Sequence, residues 1–528
     1  GAAVGTLVAG ARLAYSLMAK QGQGTLAQQP LNIQSPTAPA FLMALDDSGS
    51  MLWEVLNNTR DGVYRWVDAG STTRSTGFYN TTRRNPWPFG EGTGLNYYYL
   101  TPPYGRSGDA AMPPFDAYGF ARAAEINSAY FDPRDTYPTW KNGRSDPALR
   151  DYKTINPESA PVDPRPNGSP GLKTNTINLT KDFAQTGANW RFTFRRGMFI
   201  PGGTLIEADR CGLSNSDTSG NAPDGFWRVK ASGFTIDNAN NGCQAAVGFY
   251  PATFFTTERL PADYGYSATP LAVTNPTHGR PGTLYKYEIR SANFSSTAKY
   301  NAAMQNFANW FSFYRTRREA LIGAASNALQ ETTNLRVGWF RINNRTNAVM
   351  YSMDDETQKR ALLYDIQRYM AASGSTPNRS AAVHLGNQFK RVRSSSDNNP
   401  PVLLSCQKNA GMLFTDGYIN ETDNKQRMVL GVAPFYDGSL VPSIETNSVP
   451  VPSECSSASP DPALDCKKHL HMNFYGVTLG TKGAQFGVTY QPTASKPWIL
   501  NPDPYATVPR FDTATQDALF KVWDQLSR

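Results

Sequence analysis

The chain has 528 residues, of which 40% are hydrophobic and 12% aromatic, so it can bury a substantial core. Its length suits roughly two to four domains, or one domain carrying a large insertion. Only 18% of the residues are charged, and the net charge of +8 is spread as scattered Lys and Arg without a long basic block, which argues against a nucleic-acid footprint. Gly and Pro are plentiful (43 and 38), a composition that suits loops and polar uncharged surfaces and is more typical of secreted proteins than of cytosolic enzymes.

Residues 1–19, GAAVGTLVAGARLAYSLMA, are small and apolar with Arg12 in the middle. They read as a signal-peptide remnant, or as a helix docked through Leu7, Val8, Leu13, Leu17 and Met18. Their centre is too polar for a membrane span. Residues 29–39 are a polar lead-in, so residues 1–39 are set apart from the body of the chain.

Residues 41–45 are a short, fully apolar run and predict a strand. It ends in Asp46-Asp47-Ser48-Gly49-Ser50, two carboxylates and two hydroxyls around a glycine. Burial does not ask for such a sequence; a divalent cation does. Residues 54–298 show no helical period. Alternating runs at 190–194, 226–229, 247–250 and 284–289 predict strands, and the whole segment reads as a β-rich, aromatic-rich insertion. Its Tyr, Asn, Ser and Gly suit either a rigid contact surface or solvated loops.

Helical spacing of Met304, Phe307, Phe311, Tyr314 and Leu321 then predicts one long helix over 301–332. A strand at 335–342 follows, then helices at 356–372 and 380–391, strands at 412–414 and 473–479, and a terminal helix at 514–526. Strand–helix alternation implies an α/β fold with a mostly parallel sheet, and residues 40–528 are read as one such domain.

The five cysteines include no C-x-x-C pair, so a zinc ribbon or a thioredoxin-type site is not indicated. Cys211 with Cys243, and Cys455 with Cys466, bracket loops and are disulfide candidates in an oxidising compartment, leaving Cys406 over. His469 and His471 alternate along a strand start and read as polar residues of an edge. No nucleophile elbow, H-E-x-x-H or phosphate-binding loop is present.

In an open α/β sheet, ligands bind beyond the carboxyl ends of the strands. Asp46, Ser48 and Ser50 follow the first strand, Thr376 lies in a Gly374-Ser375-Thr376-Pro377 loop, and Asp416 follows a central strand. Two carboxylates and three hydroxyls are hard oxygen ligands for one divalent cation, Mg²⁺ first, with Ca²⁺ or Mn²⁺ as alternatives. Ser373 and Ser375 crowd the same loop as Thr376 and compete for its role. Asp47 reads as outer-layer or solvent-facing, and Thr415 as a strand residue.

Asp46-x-Ser48-x-Ser50, the threonine loop and Thr415-Asp416-Gly417 resemble, in this order, the metal-ion-dependent adhesion site of von Willebrand factor A domains. DDSGSM, NSAYFDPRDTYPTW (127–140), NFANWFSFYRTR (306–317) and the stretch from Cys406 to Asp416 resemble the PilY/PilC family of type IV pilus tip proteins. The resemblance covers the N-terminal half of such a protein. It implies a doubly wound A domain with a large insertion after its first strand, secreted through the periplasm of a Gram-negative bacterium to the pilus tip and cell surface. There it would work with minor pilins in pilus assembly, twitching motility and adhesion to a host or abiotic surface ligand, touching membrane only through the pilus machinery. The family continues into a C-terminal β-propeller, whereas this chain stops at Arg528, so propeller functions are not carried over. The expectation is a binding protein rather than an enzyme; the alternatives are a metal-dependent hydrolase, or a structural tip scaffold with a vestigial metal loop.

Overall fold

A computed structural model of the chain describes residues 38–56, 64–67, 77–79, 95–102, 110–146, 148–277, 280–416, 428–460 and 464–479. The N-terminal segment 1–37 and the expected terminal helix at 514–526 lie outside the described residues.

Five strands form the central sheet: β1 (Ala40–Leu45), β2 (Arg336–Arg341), β3 (Tyr351–Ser352), β4 (Asn409–Thr415) and β5 (Asn473–Thr478). Their order is β3-β2-β1-β4-β5. The β1–β2, β1–β4 and β4–β5 pairs are parallel, and β3 adds an antiparallel edge. β1 is apolar along its length because both of its faces are covered. Met43 and Leu45 pack on one side with Leu321 and Ile322 of a helix at Arg317–Gln330 and with Leu362 and Ile366 of a helix at Glu356–Tyr369. Leu42 and Ala44 pack on the other with Ala382 and Leu385 of the helix Asn378–Gln388 and with Val432 and Phe435 of the helix Met428–Asp437. β1 is also where the strand order reverses, and in register Leu45 lies level with Arg341 and Phe414. The residues just after β1 and β4 are therefore neighbours at the mouth of the sheet.

Among the described residues between 54 and 296 there is no α-helix. The insertion is a patchwork of short strands joined by turns. One three-stranded piece pairs Arg280–Glu288 with both Thr253–Thr256 and Leu271–Thr277. The expected strand at 247–250 is displaced: Gln244–Ala246 forms the ladder, while Val247 and Phe249 make single bridges only. Cys211 pairs with Cys243 and Cys455 with Cys466, and Cys406 is free. No helix among the described residues is long and apolar enough to cross a membrane.

The expected single helix at 301–332 is two, α1 (Thr297–Phe313) and α2 (Arg317–Gln330). Residues 314–316 break it, because Thr316 is extended (φ −100°, ψ 160°) and its hydroxyl accepts from the Glu319 amide. Thr316-Arg317-Arg318-Glu319 has the T-x-x-E form of a helix start, a local signal that the apolar periodicity running through it masks. The break lets α1 serve the insertion and α2 serve the sheet. Phe307 and Trp310 of α1 pack on Phe131, with ring centroids 5.0 and 5.9 Å away, and the Trp140 indole donates to the Phe313 carbonyl at 3.0 Å. Thr316→Ala is expected to cost about 1 kcal/mol, read as a lower urea midpoint without a change in slope.

Candidate functional site

The break also sets out three cationic anchors within four residues, Arg315, Arg317 and Arg318, each buried against a different acid. Arg315 Nε meets Glu54 at 2.7 Å, Arg317 Nη1 meets Asp416 at 2.8 Å, and Arg318 Nη2 meets Asp163 at 3.2 Å. Glu54 and Asp163 belong to the insertion, whereas Asp416 belongs to the sheet. The turn between α1 and α2 thus ties both parts to one short segment.

At the mouth of the sheet the chain curls back after β1. The Ser48 amide donates to Asp46 Oδ1 at 2.7 Å. The Ser48 and Ser50 hydroxyls lie 3.0 Å apart, and Ser50 Oγ donates to Asp416 Oδ1 at 2.9 Å. From β4, Thr415 Oγ1 donates to Asp46 Oδ2 at 2.6 Å, and the Asp416 amide donates to the same oxygen at 3.3 Å. Asp46, Ser48, Ser50 and Asp416 therefore form one connected set, although Ser50 and Asp416 are 366 residues apart in sequence. The loop containing Thr376 docks on this set through its backbone: the Ser373 amide donates to the Asp47 carbonyl at 2.7 Å, and the Gly49 amide donates to the Gly374 carbonyl at 3.2 Å. Gly374 sits at φ +113°, and a Cβ there would lie 2.8 Å from Asn343, so glycine is required on both counts. Thr376 is buried in the loop, but among the described residues its hydroxyl bonds to none of the other four.

Four further residues complete the surroundings. Asp47 is buried; it accepts from the Asn343 backbone and side-chain amides at 2.9 Å and lies 3.8 Å from Arg341. It clamps the first loop to the end of β2 and does not face solvent. Thr415 is more than a strand residue, since it orients Asp46 and itself accepts from Asn378 Nδ2 at 3.1 Å. Asn378 is fully buried, and its Oδ1 has no partner among the described residues. Nothing in the local sequence pattern distinguishes Arg317 from its arginine neighbours, so only the fold marks it. Its guanidinium holds Asp416 Oδ2 at 2.8 Å and the Val55 carbonyl at 2.8 Å, with its carbon 4.9 Å from the Trp53 ring centroid.

Burial, then the nearby Asp416 charge, push the Asp46 carboxyl up to about 7. Asp46, Asp47, Ser48, Thr376 and Asp416 are all buried and Ser50 is part-exposed, so among the described residues the set opens at Ser50. When Asp46 is ionised, the Asp46 and Asp416 carboxylates outnumber the Arg317 guanidinium, which meets Asp416, by one negative charge among hydroxyl oxygens. This donor set fits a hard cation, which would offset both the desolvation of Asp46 and its repulsion by Asp416. Among the described residues no three His, Cys, Asp or Glu side chains cluster as a larger metal site. His471 is committed to Asp465 at 2.9 Å and to the His469 carbonyl at 2.6 Å, and His469 to the Tyr436 carbonyl at 2.9 Å.

No family model and no solved structure matches the chain. Two curated proteins do, both called type IV pilus biogenesis factor PilY1. The one from Pseudomonas aeruginosa strain PAK is 28% identical over 169 residues, covering 27% of this chain and 14% of that protein. The one from strain PAO1 is 31% identical over 137 residues, covering 22% of this chain and 12% of that protein. The matched stretch is thus a small part of those longer relatives, and over about a quarter of its own length the chain is PilY1-like.

Proposed function

We propose that residues 40–528 are a von Willebrand factor A-type domain with an insertion at 54–298. In this reading Asp46, Ser48, Ser50, Asp416 and, through its loop, Thr376 hold one divalent cation, Mg²⁺ first. The observation that carries the proposal is the Ser50–Asp416 hydrogen bond of 2.9 Å beside the buried Asp46, which joins the ends of the two strands at the point where the sheet order reverses. The domain acts by binding rather than by catalysis. With a divalent cation in place, the Arg317 charge leaves the site with one net positive charge, which favours an acidic group on a partner. The PilY1-like stretch supports a role in type IV pilus biogenesis outside the cell, and we assign the partners as minor pilins at the pilus tip and a surface ligand.

Calorimetric titration of Mg²⁺, Ca²⁺ and Mn²⁺ into chelator-treated protein is expected to show one saturable site, absent in Asp46→Ala. In cells lacking the native chain, Asp46→Ala is expected to be secreted but to support fewer surface pili or weaker adhesion. Folded native protein that takes up none of the three ions would overturn the cation, and would leave a structural scaffold as the reading to pursue.

A further inference from the structure

The oxygen donors at the sheet mouth do not account for the arginine among them. Arg317 opens α2 and is 1% exposed. Its backbone amide donates to the Trp53 carbonyl at 3.2 Å and its Nη2 to the Val55 carbonyl at 2.8 Å. Its guanidinium carbon lies 4.9 Å from the Trp53 ring centroid, and that ring stacks on Tyr98 of the insertion at 4.3 Å. So fixed, the side chain presents Nη1 to Asp416 Oδ2 at 2.8 Å. A buried ion pair is often no more stabilising than well-packed apolar groups of the same volume. Stability alone therefore gives no reason for an arginine here, and what it does to Asp416 has to be asked.

Asp416 turns its two oxygens to different partners: Oδ2 to Arg317, and Oδ1 to the Ser50 hydroxyl at 2.9 Å. A cation that took both oxygens would share Oδ2 with the guanidinium, setting two positive charges against each other where little water screens them. Arg317 thus withdraws Oδ2 from a metal. Asp46 is restricted as well. Its Oδ2 accepts from the Thr415 hydroxyl at 2.6 Å and the Asp416 amide at 3.3 Å, its Oδ1 accepts from the Ser48 amide at 2.7 Å, and the Ser48 hydroxyl also bonds to this carboxylate. Each acid has one oxygen to give. Ser48, Ser50 and Thr376 have one hydroxyl each, so the set offers single oxygens only. With a water or a partner oxygen added, these suit the octahedron that Mg²⁺ demands. Ca²⁺ takes about six to eight oxygens and gains the extra ones from carboxylates that give both.

We propose that Arg317 is a positioning residue of the cation site: by holding Asp416 Oδ2 it confines Asp416 to one ligand oxygen and so sets a preference for Mg²⁺ over Ca²⁺. This rests on the cation reading above and extends it to the choice of ion. The test is calorimetric titration of Mg²⁺ and of Ca²⁺ into the whole chain, chelator-treated, and into its variants. Native protein is expected to bind Mg²⁺ more tightly than Ca²⁺. In Arg317→Met the ratio of the two affinities is expected to move toward Ca²⁺ by about tenfold, the scale on which partners of metal ligands act. Arg317→Lys keeps a cation on Oδ2 and is expected to keep the native preference. A purely structural role would change both affinities together and leave their ratio as it was. If Arg317→Met does not fold, crystals of native protein grown in Mg²⁺ decide: Arg317 still on Oδ2, with Asp416 giving no more than Oδ1 to the ion, supports the role, and Asp416 chelating through both oxygens overturns it. Native protein that binds Ca²⁺ as tightly as Mg²⁺, or Arg317→Met with the native ratio, would overturn the role of Arg317 and leave the cation site standing. Native protein that takes up neither ion would overturn both.

Discussion

Asp416→Ala is expected to destabilise the protein by about 3–5 kcal/mol, more than loss of a carboxylate usually costs. The cause is Arg317. Its side chain is 2% exposed, and Asp416, itself 0% exposed, is the carboxylate that it meets. Deleting Asp416 leaves an unpaired guanidinium in the core at the start of α2. The double variant Asp416→Ala/Arg317→Met is expected to recover most of the loss, because replacing a buried pair by apolar groups is often close to neutral. Urea unfolding of the native protein, the two single variants and the double variant closes a thermodynamic cycle. A double variant no more stable than Asp416→Ala would mean that the ion pair is not what holds this corner. If Asp416 is a cation ligand as proposed, both Asp416 variants are expected to lose cation binding, so the stability cycle separates its structural role from that of a ligand.

Chelator-treated protein is expected to lose stability as pH rises through about 7, owing to Asp46. Burial and then the Asp416 charge raise this carboxyl from 3.8 to about 7 in the fold. The folded chain therefore holds the Asp46 proton more tightly than the unfolded chain does. The stabilisation this gives is fully present below the unfolded value and is lost as pH rises through the folded one. The gap corresponds to an upper limit on the order of 4 kcal/mol. A divalent cation acts in the opposite sense. It displaces the proton and neutralises the carboxylate pair, so its apparent affinity is expected to fall about tenfold per pH unit below 7. Unfolding at pH 5.5, 7 and 8.5, with and without Mg²⁺, checks both statements against Asp46→Ala. Native protein and variant showing the same pH slope would remove Asp46 from the explanation.

These two effects arise where pieces legible separately in the sequence meet in the fold. The apolar run ending in Asp46-x-Ser48-x-Ser50 and the one ending in Thr415-Asp416 are short local patterns, and a reading of period and turn chemistry finds both. The same reading finds the helices at Glu356–Tyr369 and Asn378–Gln388 to within a few residues, because each carries its apolar face in its own sequence. It fuses α1 and α2, since buried aromatics continue at helical spacing across Tyr314–Thr316 and hide the start signal at Thr316. In the insertion it finds strands but not their partners, because many of the runs are only two or three residues long and pair with whatever the turns bring alongside.

The sequence by itself determined the pieces: two strands that end in carboxylates, hydroxyls at alternate positions after the first, and a glycine-containing loop before a helix. Their meeting was decided by the tertiary structure. Parallel pairing of β1 with β4 sets Leu45 level with Phe414 and so brings Asp46 to Thr415 and Asp416. The kink at Thr316 turns Arg317, and not Arg315 or Arg318, toward Asp416, and the docking of the 373–378 loop positions Asn378 on Thr415. Spacing and periodicity report on neighbours along the chain. The choice of which buried carboxylate meets which guanidinium is made by contacts hundreds of residues apart, where the cost of an unpaired charge selects among packings that look alike in sequence.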